Sequence, residues 1–459
     1  MGRTRMRTWL RGGVAVIAAA VVWSASPEAA SRPPKFVYQR IQLPNGLTVV
    51  LNQDRSTPIV NVQLWYHVGS KDEKPGRTGF AHLFEHLMFK GSRNVEPEQH
   101  TSIVASVGGQ ANAYTNEDTT VFWQTVPAHF LPLVLWMEGD RMATLRIDQD
   151  TFVREREVVK EERRMRIENQ PYGRLNEIIY EHAFTTHPYR HPVIGSMEDL
   201  SAATLADVRD FYSTYYVPSN VTAVISGDFD MTEATGLVNQ YLGRVPKATK
   251  PVPRDIPKEP SQKQEKRVTV EESVPLPAVV VAHHITYDGH PDSYPLHILG
   301  KVLSDGNSSR IYQKLVYESG QALTAFGQAN LIEHPNLLYT VAIVNPGQSP
   351  AAVEKALIAE LDKMKTEGIT ERELQRAKNQ FARDYVLGRE TVQQKATILA
   401  HAEVLHADVT TADGEFDIFQ NITLADVQRV AKAYLVPESR VVIHIMPKGS
   451  GSRGQEENQ

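Results

Sequence analysis

Alternating apolar and polar positions near the start of the chain predict β-strands. Residues 37–51 alternate on both sides of Asn45-Gly46, a dipeptide typical of the tight turn in a β-hairpin. In residues 59–68, Val60 and every second residue after it are apolar or aromatic, and the residues between them are more polar. This alternation is the pattern of a half-buried strand. Strands followed by helical stretches and then by further strands predict a two-layer α+β arrangement.

A repeated segment indicates that this arrangement occurs twice. Thr204-Leu-Ala-Asp-Val208 recurs 219 residues later as Thr423-Leu-Ala-Asp-Val427, and Val217-Pro218 recurs at the same offset as Val436-Pro437. A long internal repeat of this kind is the mark of duplicated structural units. We therefore expect a fold of class α+β, built from two homologous two-layer α/β halves.

Composition places the boundaries between the predicted domains. Residues 246–260 hold five prolines among charged residues, a composition typical of a stiff, extended linker. We predict a first domain over residues 35–245, the linker over 246–267 and a second domain over 268–448. The polar residues 449–459 are predicted to be a disordered tail.

The first 31 residues have the layout of a secretory signal peptide. Four arginines precede the apolar run 14–23, and small residues follow it. The run is shorter than the roughly 20 residues that a membrane span needs, so no stable membrane anchor is expected. The chain has no cysteine, which excludes disulfides and lipid attachment through a thiol. We predict that residues 1–31 direct the protein to the periplasm or medium of a bacterium; an amphipathic targeting peptide is the alternative.

Size and charge narrow the class of function. The chain has 459 residues, of which 41% are hydrophobic and 22% charged, and this suits a globular protein of two or more domains. Its pI of 6.4 and net charge of −5 provide no basic surface of the kind that binds nucleic acid.

Candidate chemistry begins with His82, Glu85 and His86, which spell HxxEH. They lie in residues 80–89, an apolar stretch without Gly or Pro that favours a helix, where residues three and four apart share one face. Zinc in hydrolases commonly takes two histidines and one carboxylate and keeps a fourth position for water. A core helix that carries two satisfied histidines is the alternative interpretation.

A second helix offers the missing carboxylate. Glu155 and Glu162 stand seven residues apart in residues 152–165, nearly two full turns, so they share a stripe with Val158 and Val159 between them. Carboxylates on the buried side of a helix need a cation, and the HxxEH helix could supply one. The remaining basic residues of the segment are expected to be solvated, namely Arg154, Arg156, Arg163 and Arg164.

Residues 108–115 read as an edge strand. Two glycines precede the alternating Ala111, Ala113 and Thr115, which suggests an edge that a second backbone can approach. Peptides are often bound by strand addition to such an edge. A plain edge strand without that role is the alternative.

Together these motifs resemble the insulinase/pitrilysin family of zinc metallopeptidases, M16. The resemblance rests on HxxEH, on the ExxxxxxE pattern of Glu155 and Glu162, and on residues 108–115, 187–195 and 220–228. It covers roughly residues 36–447 and is greatest for the half-length branch of bacterial and mitochondrial processing peptidases.

The resemblance implies a fold and a role for each site residue. The fold would be of the LuxS/metallohydrolase-like, insulinase type, with one zinc ion per chain. The implied zinc ligands are His82, His86 and Glu162, with Glu85 as the general base and Glu155 as a catalytic carboxylate that orients a ligand. The implied substrate-binding residues are Asn112 and Ala113.

The second half departs from the zinc pattern. With Gly306 aligned to Gly91, the residues opposite the HxxEH positions are His297, Gly300 and Lys301, so only one of the three is retained. We expect this half to bind no catalytic zinc and His297 to be structural.

The second half also lacks the family's carbonyl-binding pair. Val316 and Leu323 stand where self-sufficient members carry Arg and Tyr, which stabilise the oxyanion. Arg310 and Tyr317 have the same spacing but align with an upstream motif, so we interpret them as structural. The prediction is therefore a secreted zinc endopeptidase that cleaves peptides as the zinc-bearing subunit of a heterodimer, with a zinc-less homologue supplying Arg and Tyr. A non-catalytic scaffold or peptide-binding family member is the alternative.

Overall fold

The computed structural model describes residues 33–449, so the predicted signal peptide and residues 450–459 of the predicted tail lie outside the described residues. The strands are β1 (Gln39–Gln42), β2 (Thr48–Gln53), β3 (Ile59–Tyr66), β4 (Gln110–Thr115), β5 (Thr120–Pro127), β6 (Val221–Gly227), β7 (Lys266–Glu272), β8 (Ala278–His284), β9 (Ala322–Ala329), β10 (Leu337–Val344) and β11 (Arg440–Pro447).

The first half contributes eight α-helices over the described residues, and α1 carries the HxxEH residues. They are α1 (Phe80–Leu87), α2 (Gln99–Ser106), α3 (Leu131–Thr144), α4 (Gln149–Arg163), α5 (Leu175–Ala183), α6 (Met197–Ala202), α7 (Leu205–Tyr215) and α8 (Met231–Tyr241). The second half contributes α9 (Ser293–Ser304), α10 (Arg310–Tyr312), α11 (Pro350–Thr366), α12 (Glu371–Leu387), α13 (Val392–Leu405), α14 (Thr411–Asn421) and α15 (Leu424–Tyr434).

Two mixed sheets organise these elements and confirm the predicted α+β class. The first sheet has the order β1-β2-β6-β3-β5-β4, and the second has the order β7-β11-β8-β10-β9. The predicted hairpin is β1 paired with β2 in antiparallel register. In each sheet one parallel pair, β2 with β6 and β7 with β11, closes a long connection, while the other neighbouring pairs are antiparallel.

Each sheet packs its own helices over an apolar core. In the first half, Leu64 and Phe122 of the sheet are buried in one cluster with Leu83 and Phe84 of α1. In the second half, Val281 and Leu338 are buried with residues of α9 and α11. Burial of these alternating strand residues against helices produces the two layers predicted for each half.

A helix from the opposite half covers the other face of each sheet. Helix α13 buries Leu399 against Trp65 and Val224 of the first sheet, and α5 buries Ile179 against Val280 of the second. The 219-residue repeat maps α5 onto the middle of α13, so the exchange is reciprocal. Each half therefore supplies the helix that covers the outer face of the other half's sheet.

Two polar residues of β3 are buried on the face of the first sheet. Asn61 and Gln63 are 0% and 1% exposed, although their alternation with valine and leucine is that of a strand with a polar face. Gln63 donates to the Thr397 hydroxyl of α13 at 3.0 Å, and Asn61 donates to the Gln124 carbonyl at 3.1 Å. Hydrogen bonds to partners distant in sequence thus satisfy the donor groups of these buried amides.

Residues 242–265 connect α8 to β7 and contain neither helix nor strand. This segment is attached to the first half through Glu259, whose carboxylate accepts from the backbone N–H groups of Thr185, Thr186 and His187 at 2.9, 2.8 and 2.9 Å. Over residues 33–449, no helix is both long and apolar enough to cross a bilayer.

Candidate metal centre and peptide-binding edge

The start of α1 is held by backbone contacts that only glycine allows. Gly79 has φ of 88°, and a Cβ there would meet the Ile194 carbonyl oxygen at 2.6 Å. The Glu73 carboxylate accepts from the N–H groups of Gly79 and Ala81, both at 2.8 Å. Residues 187–195 therefore support the beginning of the helix, and Glu73 caps it. Burial raises the pKa of Glu73 well above its usual value.

Helices α1 and α4 bring the three predicted zinc ligands together. Glu162 Oε2 lies 3.2 Å from His86 Nε2 and 3.8 Å from His82 Nε2. The other carboxylate oxygen of Glu162 pairs with the Arg166 guanidinium at 2.6 Å, which turns Oε2 toward the histidines. One ligand atom from each of the three residues lies within 4.8 Å of the others.

The two histidines of this cluster have pKa values shifted in opposite directions. Burial and the neighbouring His86 lower the pKa of His82 to about 4. Burial also disfavours a charged His86, but Glu155 and Glu162 outweigh it and raise the pKa of His86 to about 9. Contact with His86 lowers the pKa of Glu162. His86 and the Glu162 carboxylate thus form an ion pair without net charge beside the neutral His82 ring. A cation that displaced the His86 proton would meet two neutral nitrogens and an anionic oxygen.

The donor set fits zinc. Two imidazole nitrogens and one carboxylate oxygen are a ligand set found in zinc hydrolases. Ligand atoms about 3.3 Å apart correspond to a tetrahedral ion with bonds of about 2.0 Å, and the distances of 3.2 and 3.8 Å bracket that value. We conclude that His82, His86 and Glu162 are able to hold one such ion.

Glu155 lies behind His86, away from the three converging ligand atoms. Its Oε2 is 3.8 Å from His86 Nδ1 and 3.2 Å from Lys90 Nζ. Burial would raise its pKa, but His86 and Lys90 lower it, so the carboxylate stays charged. A carboxylate at the Nδ1 side of a ligand histidine favours the tautomer that leaves Nε2 free for metal. Sequence reasoning did not anticipate Lys90, which holds that carboxylate.

Two expectations about α4 are wrong. Val158 is 45% exposed, whereas Val159 is fully buried, because the stripe of Glu155, Val159 and Glu162 faces α1 and Val158 lies on its flank. Arg163 is 7% exposed instead of solvated. It donates to the Gly195 carbonyl at 2.8 Å and to Glu177 at 3.0 Å, contacts with residues far along the chain.

Glu85 points from α1 toward β4. Its Oε2 accepts a hydrogen bond from the Thr115 hydroxyl at 2.7 Å. Burial raises the pKa of Glu85, and the Thr115 hydrogen bond opposes that shift. The carboxylate is thus held beside the ligand cluster by the last residue of the predicted edge strand.

β4 is an edge strand of the first sheet, as predicted, and pairs with β5. Its residues alternate between exposed and half-buried, with Asn112 exposed and Ala113 half-buried. The Ala113 N–H donates to Asn112 Oδ1 at 2.9 Å. A peptide carbonyl that reached for this N–H would displace the Asn112 side chain.

The three residues of the second half that align with the HxxEH positions are engaged in packing and a surface ion pair. His297 packs edge-on against Phe419, with ring centroids 5.3 Å apart, and burial lowers its pKa to about 4. Gly300 lies against Ala329, where an added Cβ would come within 3.1 Å. Lys301 pairs with Asp305 at 3.2 Å. These three residues do not converge on a common point that could hold a metal.

The residues at the carbonyl-binding positions offer no donor. Val316 packs against the second core, and Leu323 is 58% exposed on the edge strand β9. Arg310 donates to both carboxylate oxygens of Glu373, at 2.7 and 2.8 Å, and is therefore engaged in the fold. Tyr317 is 63% exposed and contacts the Tyr312 ring.

Two family descriptions match the chain, one on each half. Residues 48–196 match Insulinase (Peptidase family M16), and residues 202–381 match the Peptidase M16 inactive domain. The first match contains the HxxEH residues together with Glu155 and Glu162, and the second contains His297, Gly300 and Lys301.

Two similar proteins of Helicobacter pylori match this chain over nearly their whole length. The zinc protease PqqE of Helicobacter pylori is 30% identical over 430 residues, which is 93% of this chain and 96% of that protein. A crystal structure of a protease from Helicobacter pylori has a TM-score of 0.86 at 29% identity and covers 90% of this chain and 100% of that one. Pitrilysin has the same fold, with a TM-score of 0.72 at 20% identity, and its match covers 92% of this chain but 46% of pitrilysin.

Proposed function

This chain belongs to peptidase family M16, the insulinase family, and from that premise we propose that it is a zinc-dependent endopeptidase. The observation that carries the proposal is the convergence of His82, His86 and Glu162 within 4.8 Å, next to Glu85 and the open edge of β4. The set lies in the half that matches the family's peptidase domain.

The chain's own residues provide for peptide hydrolysis. Bound zinc in such a site supplies a Lewis acid that lowers the pKa of water to about 7. β4 binds the substrate backbone as an added strand, which places a peptide bond alongside α1. Glu85 takes a proton from the attacking water and transfers it to the leaving amine nitrogen. Thr115 fixes the direction of the Glu85 carboxylate during both transfers.

Two substitutions separate the metal from the base. We expect Glu162→Gln to lose most of the zinc, because it removes the anionic ligand that both histidines face. Glu85→Gln should keep about one zinc per chain and lose hydrolysis of a quenched peptide. Metal analysis and the peptide assay on both variants test this, and normal turnover by Glu85→Gln would refute the assigned base.

We further propose that the active form is a heterodimer. The chain corresponds to 46% of pitrilysin, and its own second half has Val316 and Leu323 where the donors to an oxyanion are expected. Loss of one such donor costs about 3 to 4 kcal/mol, or about a thousandfold in rate. A second copy of this chain would bring the same two apolar residues, whereas a zinc-less homologue with Arg and Tyr would complete the site.

Reconstitution tests the assembly. The isolated chain should hydrolyse peptides at least a hundredfold more slowly, by order of magnitude, than a mixture with a zinc-less homologue encoded beside it. Full activity of the single chain would refute the heterodimer and direct attention to Arg310 and Tyr317. Inactivity in every mixture, with zinc bound, would favour the scaffold alternative.

We also propose that the protein is exported. The support is the arginine-rich start and the apolar run 14–23, which lie outside the described residues. Fractionation of an expressing bacterium should find a shortened chain in the periplasm or medium. A full-length chain in the cytoplasm would contradict export.

A further inference from the structure

A second group of metal-ligating side chains lies at the end of α13. Asp288, in the loop between β8 and α9, faces two histidines of the second half, His401 in the last turns of α13 and His406 at its C-cap. One ligand atom of each residue lies within 4.8 Å of the others. No residue of this group belongs to the HxxEH centre.

Distances in this group repeat those of the HxxEH centre. Asp288 Oδ2 lies 3.0 Å from His406 Nε2 and 3.5 Å from His401 Nε2. The corresponding distances from Glu162 are 3.2 and 3.8 Å. The two rings also have similar arrangements, with centroids 5.4 Å apart and planes at 83° here, against 4.9 Å and 74° for His82 and His86. A separation of 3.5 Å exceeds a good N–H···O hydrogen bond but suits two ligands of one ion.

Hydrogen bonds around the group direct the ligand atoms inward. The Thr411 hydroxyl donates to the Asp408 carbonyl at 2.8 Å, so His406 Nδ1, 3.0 Å from the same hydroxyl oxygen, must be the donor in that contact. In the neutral ring, Nε2 then carries a lone pair that faces the Asp288 carboxylate. Two lone pairs at 3.0 Å repel unless a proton or a metal ion lies between them.

The Asp288 carboxylate is also oriented toward the two histidines. Its Oδ1 accepts from the Gly289 N–H at 3.0 Å, which leaves Oδ2 for the histidines. Gly289 has φ of 80°, and a Cβ there would lie 3.3 Å from the His406 ring, so glycine allows the loop to close over the ring. His406 stands at the C-terminal end of α13, where the carbonyl groups favour a cation.

The geometry points to a second metal site, in which Asp288, His401 and His406 bind a divalent first-row transition ion such as Zn²⁺. Imidazole nitrogens with one carboxylate suit ions of this class better than Mg²⁺ or Ca²⁺. The ion would tie the end of α13, which packs on the first sheet, to a loop of the second half. It would therefore stabilise the junction between the halves, and the inference does not depend on peptidase activity.

Metal counting in matched variants tests the site. Purified wild-type protein equilibrated with Zn²⁺ and freed of excess should hold about two ions per chain, and Glu162→Gln about one. His401→Ala in the Glu162→Gln background should reduce that remaining ion to near zero. The His401 side chain is 41% exposed, so alanine leaves little buried space. His129→Ala, at an exposed histidine of the first half, is the control and should change nothing.

A second variant and a second readout guard against loss of folding. Thr411→Val leaves all three ligands in place but removes the acceptor of the His406 Nδ1–H, and should weaken binding about 10- to 100-fold. Co²⁺ titration of the Glu162→Gln protein should produce visible absorption bands that His401→Ala abolishes. Added Zn²⁺ should raise the Tm of the Glu162→Gln protein by about 3 °C. Unchanged metal content and Tm in the His401→Ala variant would show a plain histidine–aspartate ion pair and overturn the site.

Discussion

Thr115→Val isolates the contribution of one hydroxyl to the proposed base. The Thr115 hydroxyl donates to Glu85 Oε2 at 2.7 Å, and valine replaces it with a methyl group of nearly the same size at a half-buried position. Strand pairing of Thr115 with Thr120 is a backbone feature that the substitution retains. The change therefore removes one hydrogen bond and little else.

The expected loss follows from the charge of the acceptor. A hydrogen bond to an ionised group is worth about 1.5 to 3 kcal/mol. At about 1.4 kcal/mol for each tenfold change in rate, kcat should fall roughly 10- to 100-fold. KM should change little, because the hydroxyl is engaged by Glu85 instead of the substrate. Zinc content should be normal, since no ligand atom is altered.

Steady-state kinetics on a quenched peptide, with metal analysis, measures each quantity in the active assembly. Thr115→Ser is the matched control, because it keeps the hydroxyl and loses only the methyl group. It should retain most of the wild-type kcat. A Thr115→Val enzyme within twofold of wild type would refute the positioning role, and an equally slow serine variant would assign the effect to packing.

Two further substitutions test the stability of the fold. Asp118→Ala removes a carboxylate that accepts from buried Lys71 at 3.0 Å, from the Tyr189 hydroxyl at 2.6 Å and from the Glu333 N–H at 3.1 Å, and should destabilise the protein by about 3 kcal/mol or more, seen as a lower Tm. Arg310→Gln should cost about 2 kcal/mol at pH 7 because it removes the guanidinium that donates to both carboxylate oxygens of Glu373. Burial opposes the shift, but Arg310 and the hydrogen bonds from Thr370 together lower the pKa of Glu373 from 4.5 to about 2, so the part that Arg310 contributes is present above pH 4.5 and lost as pH falls toward 2. Thermal melts of wild type and Arg310→Gln should therefore converge at low pH, and a gap that stays constant would contradict the ion pair.

Much of the architecture was readable from local patterns. Alternation around Asn45-Gly46 predicted the β1–β2 hairpin, and the structure has it, because side chains alternate between faces with a period that depends on the strand alone. The repeat of Thr204–Val208 predicted two homologous halves, and each half has its own sheet. The spacing of HxxEH placed both imidazoles on one face of α1, since residues three and four apart are neighbours on any helix.

Tertiary packing decided what covers each face. Helical periodicity placed Glu155 and Glu162 on one stripe of α4. It could not show that Val158 would be exposed and Arg163 buried, because the positions of α1 and Glu177 decide which flank of α4 is covered by other parts of the protein. Asn61 and Gln63 have the spacing of a solvated strand face, yet both are buried, and Gln63 donates to Thr397 of α13 from the other half.

Local sequence patterns likewise could not predict the polar partners of α1. Glu73 caps α1 from a preceding turn, and Thr115 holds Glu85 from a strand 30 residues away. Asp288 meets His401 and His406 across more than 100 residues, and no short motif marks the group. A local pattern determines which side chains of one element share a direction. Only the packing of distant elements determines which charge, hydroxyl or lone pair they meet there.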